Sequence, residues 1–146
     1  MNPREMTGLQ IMQAFAQGLF PIPGIAKTMP MLTVEVEKGR VVFTATANET
    51  HTNPLGGVHG GFAATVLDSV TGCATHTVLG AGESYGTTDL NIKMCKPLPF
   101  NKALRAEGRV INVGGRLVIS EGDIRDEEGT LYAHATATCM ILRPAS

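Results

Sequence analysis

Tryptophan is absent from this 146-residue chain, and aromatic residues of every kind make up only 5% of it. Close packing must then come from small residues, which the 17 glycines and the many alanines supply. Neither sign of charge is in excess: 12 Lys and Arg stand against 13 Asp and Glu, with no arginine-rich stripe. That excludes a general nucleic-acid binder, although a few local cations suffice to hold an anionic small ligand. No apolar run is long enough to span a bilayer. The N-terminus lacks the basic region, long apolar core and cleavage site of an export signal. Residues 9–20 are interrupted by Gln10, Gln13 and Gln17 and read as an amphipathic helix. Cys73, Cys95 and Cys139 are odd in number and far apart, without a disulfide or metal pattern. They read as buried small apolar residues in a reducing compartment. His51, His59, His76 and His134 show no metal-ligand spacing. The expectation is a cytoplasmic enzyme or binding protein with no metal site and neither membrane nor nucleic acid as partner.

The composition that is present, 43% hydrophobic and 17% charged, is globular. Residues 1–146 are taken as one domain, opened over 1–30 by a helix and a Pro-rich connection. Residues 3–19 have helical spacing, broken by Pro21, Pro23, Gly24 and Pro30. Strands are expected at 32–36 and 40–47 around the turn Glu37-Lys38-Gly39, then an irregular loop at 48–58. Residues 59–79, apolar on most sides, predict a helix of about 30 Å. Gly80-Ala81-Gly82 should stop it, and its composition predicts burial on nearly every face. Strands follow at 85–95, 104–113, 116–125 and 131–142. In the last, Ala133, Ala135, Ala137 and Cys139 share one face by period two, so a helix can sit close. The result is an α+β fold, one long helix wrapped by an antiparallel sheet of five or six strands.

The most informative stretch is Asn53-Pro54-Leu55-Gly56-Gly57-Val58-His59-Gly60-Gly61, followed by Phe62 to Asp68. It leads a glycine-rich loop into the apolar helix. Gly60 and Gly61 have no side chains, so a ligand oxygen can approach their N–H groups at the positive end of the helix. Such donors form an oxyanion hole for acyl transfer. His59 is placed to orient this turn or to polarise a carbonyl. Asp68, set among apolar neighbours, either caps a neighbouring loop or faces solvent, or is a candidate base or nucleophile. The second is favoured because burying an unpaired charge is costly and functional carboxylates occupy such settings. It lies eight residues beyond Gly60, about 12 Å along a helix, too far for one carbonyl to meet both. Two antiparallel copies of the helix would bring them together. Small residues near Asp68 (Gly61, Ala64, Thr65, Thr71 and Gly72) suit such an approach, which implies a site shared across a two-fold dimer. Asn53 either binds a water or a carbonyl, or simply forms a turn before Pro54. Thr87 and Thr88 are accounted for by strand propensity. Arg116, after Gly114-Gly115, either meets a phosphate or is solvated. An apolar pocket is expected from Phe62, Val66, Leu90 and parts of the N-terminal helix.

These motifs resemble the hotdog-fold acyl-CoA thioesterases of the phenylacetate-degradation and 4-hydroxybenzoyl-CoA thioesterase group. The likeness includes Gly86-Thr87-Thr88-Asp89-Leu90-Asn91-Ile92, Lys96-Pro97 and Val113-Gly114-Gly115-Arg116, and covers roughly residues 30–143. It implies a curved antiparallel sheet around the long helix, and dimers joined into a homotetramer. It also implies hydrolysis of the acyl-CoA thioester, with coenzyme A entering only as part of the substrate and no separate cofactor. Carried over by position, Asp68 is the nucleophile or the general base, and the Gly60 N–H polarises the carbonyl across the dimer. His59 supports that loop and Asn53 orients the water or the thioester. Thr87 falls beside the carboxylate, while Gly61, Gly115 and Arg116 fall on the substrate and coenzyme A side. The alternatives are an enoyl-CoA hydratase of the same fold and a non-catalytic acyl-CoA-binding domain. The hydratase pattern wants an Asp two positions before Asn53-Pro54 and a His shortly after; His51 and Gly56 stand there instead.

Overall fold

The computed structural model describes residues 1–145. Helix α1 (Gly8–Ala16) starts at Thr7, whose hydroxyl accepts from the Gln10 N–H while the Gln10 side chain accepts from the Thr7 N–H. This reciprocal cap satisfies two otherwise orphaned donors. The helix is shorter than its spacing predicts, because Pro3–Glu5 forms a separate 3-10 turn and Gly18 takes a φ of 72°. The stretch read only as a break contains a short helix, α2 (Gly24–Thr28), which starts after the preset φ of Pro23.

Six strands follow: β1 (Met31–Glu37), β2 (Arg40–Ala45), β3 (Ser84–Met94), β4 (Leu104–Val113), β5 (Leu117–Arg125) and β6 (Leu131–Leu142). All neighbours are antiparallel, in the order β1-β2-β4-β5-β6-β3. One side of the sheet carries ion pairs such as Arg109–Asp123 at 3.0 Å and Arg105–Glu35 at 3.3 Å. The other wraps helix α3 (Gly60–His76). This is the hotdog arrangement.

The close seat of α3 has a specific cause. Gly108, Gly122 and Ala135 are cross-strand neighbours on β4, β5 and β6. A Cβ on Gly108 would lie 2.1 Å from the Val70 carbonyl oxygen, and one on Gly122 would lie 3.2 Å from Thr71 Cγ2. The helix backbone therefore rests on a lane with almost no side chains. Phe62, Ala63, Val66, Leu67, Val70 and Ala74 fill the core around it, together with Ala133, Ala135, Ala137 and Cys139 as their period predicts. Full burial of a side chain such as Phe62 or Leu67 contributes about 1.5–3 kcal/mol.

Two expectations for α3 are corrected. It ends at His76, three residues early, and the sheet of one chain covers only one side of it. Ala64, Thr65 and Ser69 are half-buried and Asp68 is exposed, so this carboxylate is not enclosed by apolar neighbours within a protomer. The apolar residues flanking it in sequence point the other way, into the sheet.

Candidate active site

The loop before α3 is held by its own polar side chains. Asn53 Oδ1 accepts from the N–H groups of Leu55 (2.9 Å) and Gly57 (3.1 Å), and Gly56 takes a φ of 90°. The turn-forming role of Asn53 is thus realised, and its Nδ2 has no hydrogen-bond partner among the described residues. His51 pins the loop from behind: its Nδ1 accepts from the Asn48 N–H at 2.9 Å, so its protonated Nε2 donates to the Thr28 carbonyl at 2.9 Å. Both of its nitrogens are therefore occupied.

His59 caps α3, accepting the Gly61 N–H on its Nδ1 at 2.8 Å. The Phe62 N–H turns back to the His59 carbonyl at 3.0 Å. The Gly60 N–H has no hydrogen-bond partner among the described residues. Of the two glycine donors anticipated there, Gly61 serves the cap and Gly60 remains free at the positive end of the helix dipole. Met94 lies against Gly60: a Cβ there would be 2.8 Å from its sulfur.

Two turns along the exposed face, Asp68 meets Thr87 of β3. The Thr87 hydroxyl donates to Asp68 Oδ1 at 3.0 Å, and the second carboxylate oxygen has no hydrogen-bond partner among the described residues. The pair borders a chamber of about 460 Å³, lined on its apolar side by Met12, Phe15, Ile25 and Phe43. The N-terminal helix contributes to it as anticipated. Phe62 and Val66 do not, because they face the sheet, and Leu90 packs against the core.

Sequence reasoning missed Ser69, Cys73 and Tyr85, which share the chamber with Asp68 and Thr87. The signal existed: Tyr85 precedes Thr87 by two in a strand, and Cys73 follows Asp68 by one helical turn plus a residue. Burial pushes the Cys73 thiol up to about 12 and the Tyr85 hydroxyl above its ordinary range, so both are neutral at pH 7. Cys95, expected to be buried, is exposed.

The small residues beside Asp68 are used differently from the expectation. The Tyr85 ring rests on Gly72, the His59 ring on Gly61, and Thr71 is buried under the sheet. Gly115 and Arg116 sit exposed in the β4–β5 turn. The Ile141 N–H donates to the Arg116 carbonyl, and Ile141 pairs with Tyr85, so Arg116 lies two strands from β3 and outside the chamber lining.

Residues 55–133 match the model of a family described as the thioesterase superfamily. A protein named as an esterase in Saccharolobus solfataricus is 30% identical over 119 residues, 82% of this chain and 84% of that one. Mouse acyl-coenzyme A thioesterase 13 is 25% identical over 122 residues, 82% of this chain and 86% of its own length. The crystal structure of a phenylacetic acid degradation-related protein from Ralstonia eutropha superposes with a TM-score of 0.80 at 30% identity, covering 88% of this chain and 98% of that one.

Proposed function

The chain belongs to the thioesterase superfamily, and from that premise we propose that it hydrolyses acyl-CoA to a free acid and coenzyme A. One observation carries the reading. Asp68, with one oxygen held by Thr87 and the other free, stands at the polar end of an apolar chamber, on a helix whose first N–H, at Gly60, is unpaired.

The acyl group lies in the chamber with its thioester carbon at Asp68. The Gly60 N–H, about 12 Å away along its own helix, serves the chamber of a second copy. Its positive helix end stabilises the oxyanion as the carbonyl is attacked. Two routes use the same carboxylate. As a general base, Asp68 takes a proton from water while the oxygen adds to the carbonyl; the tetrahedral intermediate expels the coenzyme A thiolate, which recovers a proton. As a nucleophile, Asp68 forms an anhydride with release of the thiolate, and water then cleaves it. Asn53 Nδ2 is free to hold the water or the thioester, His59 keeps the Gly60 turn in shape, and Arg116 is a cation for the phosphates of coenzyme A. The functional unit is a two-fold dimer, with dimers paired into a homotetramer, acting in the cytoplasm. No helix among the described residues is long and apolar enough to cross a membrane.

Thiol release from an acyl-CoA panel tests this. Asp68→Asn should lower kcat by at least about hundredfold while the protein stays folded and binds substrate; wild-type turnover in that variant rules the mechanism out. Mixing Asp68→Ala with Gly60→Val protein should restore activity that neither has alone. No recovery in a demonstrated heterodimer rules out the shared site. A single turnover in heavy-oxygen water leaves label on Asp68 only by the anhydride route.

A further inference from the structure

We propose that Tyr85 is the stop that limits how far an acyl group extends along α3, and hence sets the chain-length preference of the site. The inference rests on the thioesterase reading above and concerns a residue that reading does not use.

Two rungs connect α3 to β3. Asp68 and Thr87 form the first through their hydrogen bond. Tyr85 is two residues before Thr87, on the same face of β3 and about 6.6 Å away. Cys73 is five residues beyond Asp68, about 7.5 Å further along α3. Both line the same chamber, so the second rung stands one turn beyond the reacting carbon.

The Tyr85 ring is held against the bare backbone of α3. A Cβ on Gly72 would lie 2.8 Å from its hydroxyl oxygen and 2.8 Å from Cε2. Behind it, the His76 ring is tilted against Tyr85 at 5.6 Å. His76 in turn cannot retreat. The Gly8 N–H donates to the Leu79 carbonyl at 3.1 Å, and a Cβ on Gly8 would stand 1.7 Å from the His76 carbonyl oxygen. The start of α1 is thus seated directly on the end of α3. Tyr85 is thus backed by Gly72 and His76, and it lines the chamber. The rung carries no charge, since Cys73 and Tyr85 both stay protonated. It therefore presents a neutral end wall to an apolar chain.

Two substitutions should move this wall in opposite directions. Tyr85→Ala removes it and lengthens the chamber. Gly72→Ala adds a methyl where the ring now rests, which pushes the ring into the chamber and shortens it. A single methylene in a hydrophobic pocket changes kcat/KM by roughly 10–200-fold. The test measures kcat/KM across straight-chain acyl-CoAs from butanoyl to dodecanoyl for wild type, Tyr85→Ala, Tyr85→Phe and Gly72→Ala. Tyr85→Ala should raise the longer chains about tenfold or more relative to the wild-type optimum. Gly72→Ala should shift the optimum to shorter chains, and Tyr85→Phe should keep the wild-type profile. Should Tyr85→Ala not fold, the shift in Gly72→Ala decides. A uniform loss across the panel, or an unchanged profile, overturns the proposal; so does a Tyr85→Phe profile that matches Tyr85→Ala. Absence of thiol release by wild type refutes the thioesterase reading instead. Affinities for the matching S-alkyl-CoA thioethers then test the stop by the same shifts.

Discussion

The Thr87 hydroxyl donates a 3.0 Å hydrogen bond to Asp68 Oδ1, tying β3 to the middle of α3 within one chain. The bond fixes one carboxylate oxygen and leaves the other without a protein partner among the described residues, as an attacking base or nucleophile requires. A hydrogen bond to a charged group contributes about 1.5–3 kcal/mol, or roughly tenfold to hundredfold in rate if it acts in the transition state. Thr87→Val should therefore lower kcat by that range with little change in melting temperature, and Thr87→Ser should keep most of the activity. Steady-state thiol release checks both. Equal rates in Thr87→Val and wild type mean that the bond does not position Asp68 for the reaction.

Gly60 has two demands on it that one double substitution separates. Its N–H is free for a carbonyl, and its Cα touches Met94, so that a Cβ would lie 2.8 Å from the sulfur. Gly60→Val should abolish turnover by filling the approach to the N–H. Adding Met94→Ala relieves the contact within the chain but not the obstruction. Turnover should stay lost in the double variant, measured beside a melting curve showing that both proteins fold. Recovery would show that Gly60 is small only to accommodate Met94.

Much of this arrangement is legible in the residues alone. The strands expected at 104–113 and 131–142 match β4 and β6 to the residue, and the period-two face of Ala133, Ala135, Ala137 and Cys139 is buried as read. The Asn53 turn and the His59 helix start follow from local chemistry, which needs no distant partner. What was hidden depends on register. Gly108 and Gly122 matter because cross-strand pairing aligns them under Val70 and Thr71. Helix α2 is too short for a periodic signal between Pro23 and Pro30. Asp68 looked enclosed because its neighbours in sequence are apolar, yet on a helix those neighbours face a different side. The significance of Tyr85 comes from Gly72 and His76 on another element, which its own strand does not reveal.

The glycine lane under α3 makes a prediction about stability with an internal control. Gly108→Ala would force a methyl to 2.1 Å from the Val70 carbonyl, where only backbone can yield. Overpacking of this kind costs about 1–3 kcal/mol or more, and the upper end is expected, which in a chain of this size lowers Tm by about 6–12 °C. Gly115 has nothing within 4 Å of its Cβ position, so Gly115→Ala should stay within about 0.5 kcal/mol of wild type. Thermal melts of the two variants should separate clearly; similar values would mean that α3 does not rest on β4 as described.

His76 gives the fold a pH dependence whose sign can be worked out. Burial lowers its pKa from the ordinary 6.5, because the charged ring loses solvation beside Tyr85 and the start of α1. Between 6.5 and the lowered folded value, the unfolded chain binds a proton that the folded chain does not. The contribution is therefore fully present above 6.5 and is lost as pH falls from 6.5 through the folded value. The lowered carboxylates Glu35, Glu49, Glu121 and Asp126 start from 4.5, 4.5, 4.5 and 3.8, so their losses begin at lower pH than the 6.5 from which that of His76 starts. Urea unfolding midpoints on the two sides of the window should drop on acidification for wild type. His76→Gln, which does not titrate, should show a lower midpoint overall but a flatter response there. If both proteins lose stability equally across the window, the proton is taken up elsewhere. If only wild type does, acid loosens the His76 wall on which both Tyr85 and Gly8 rest.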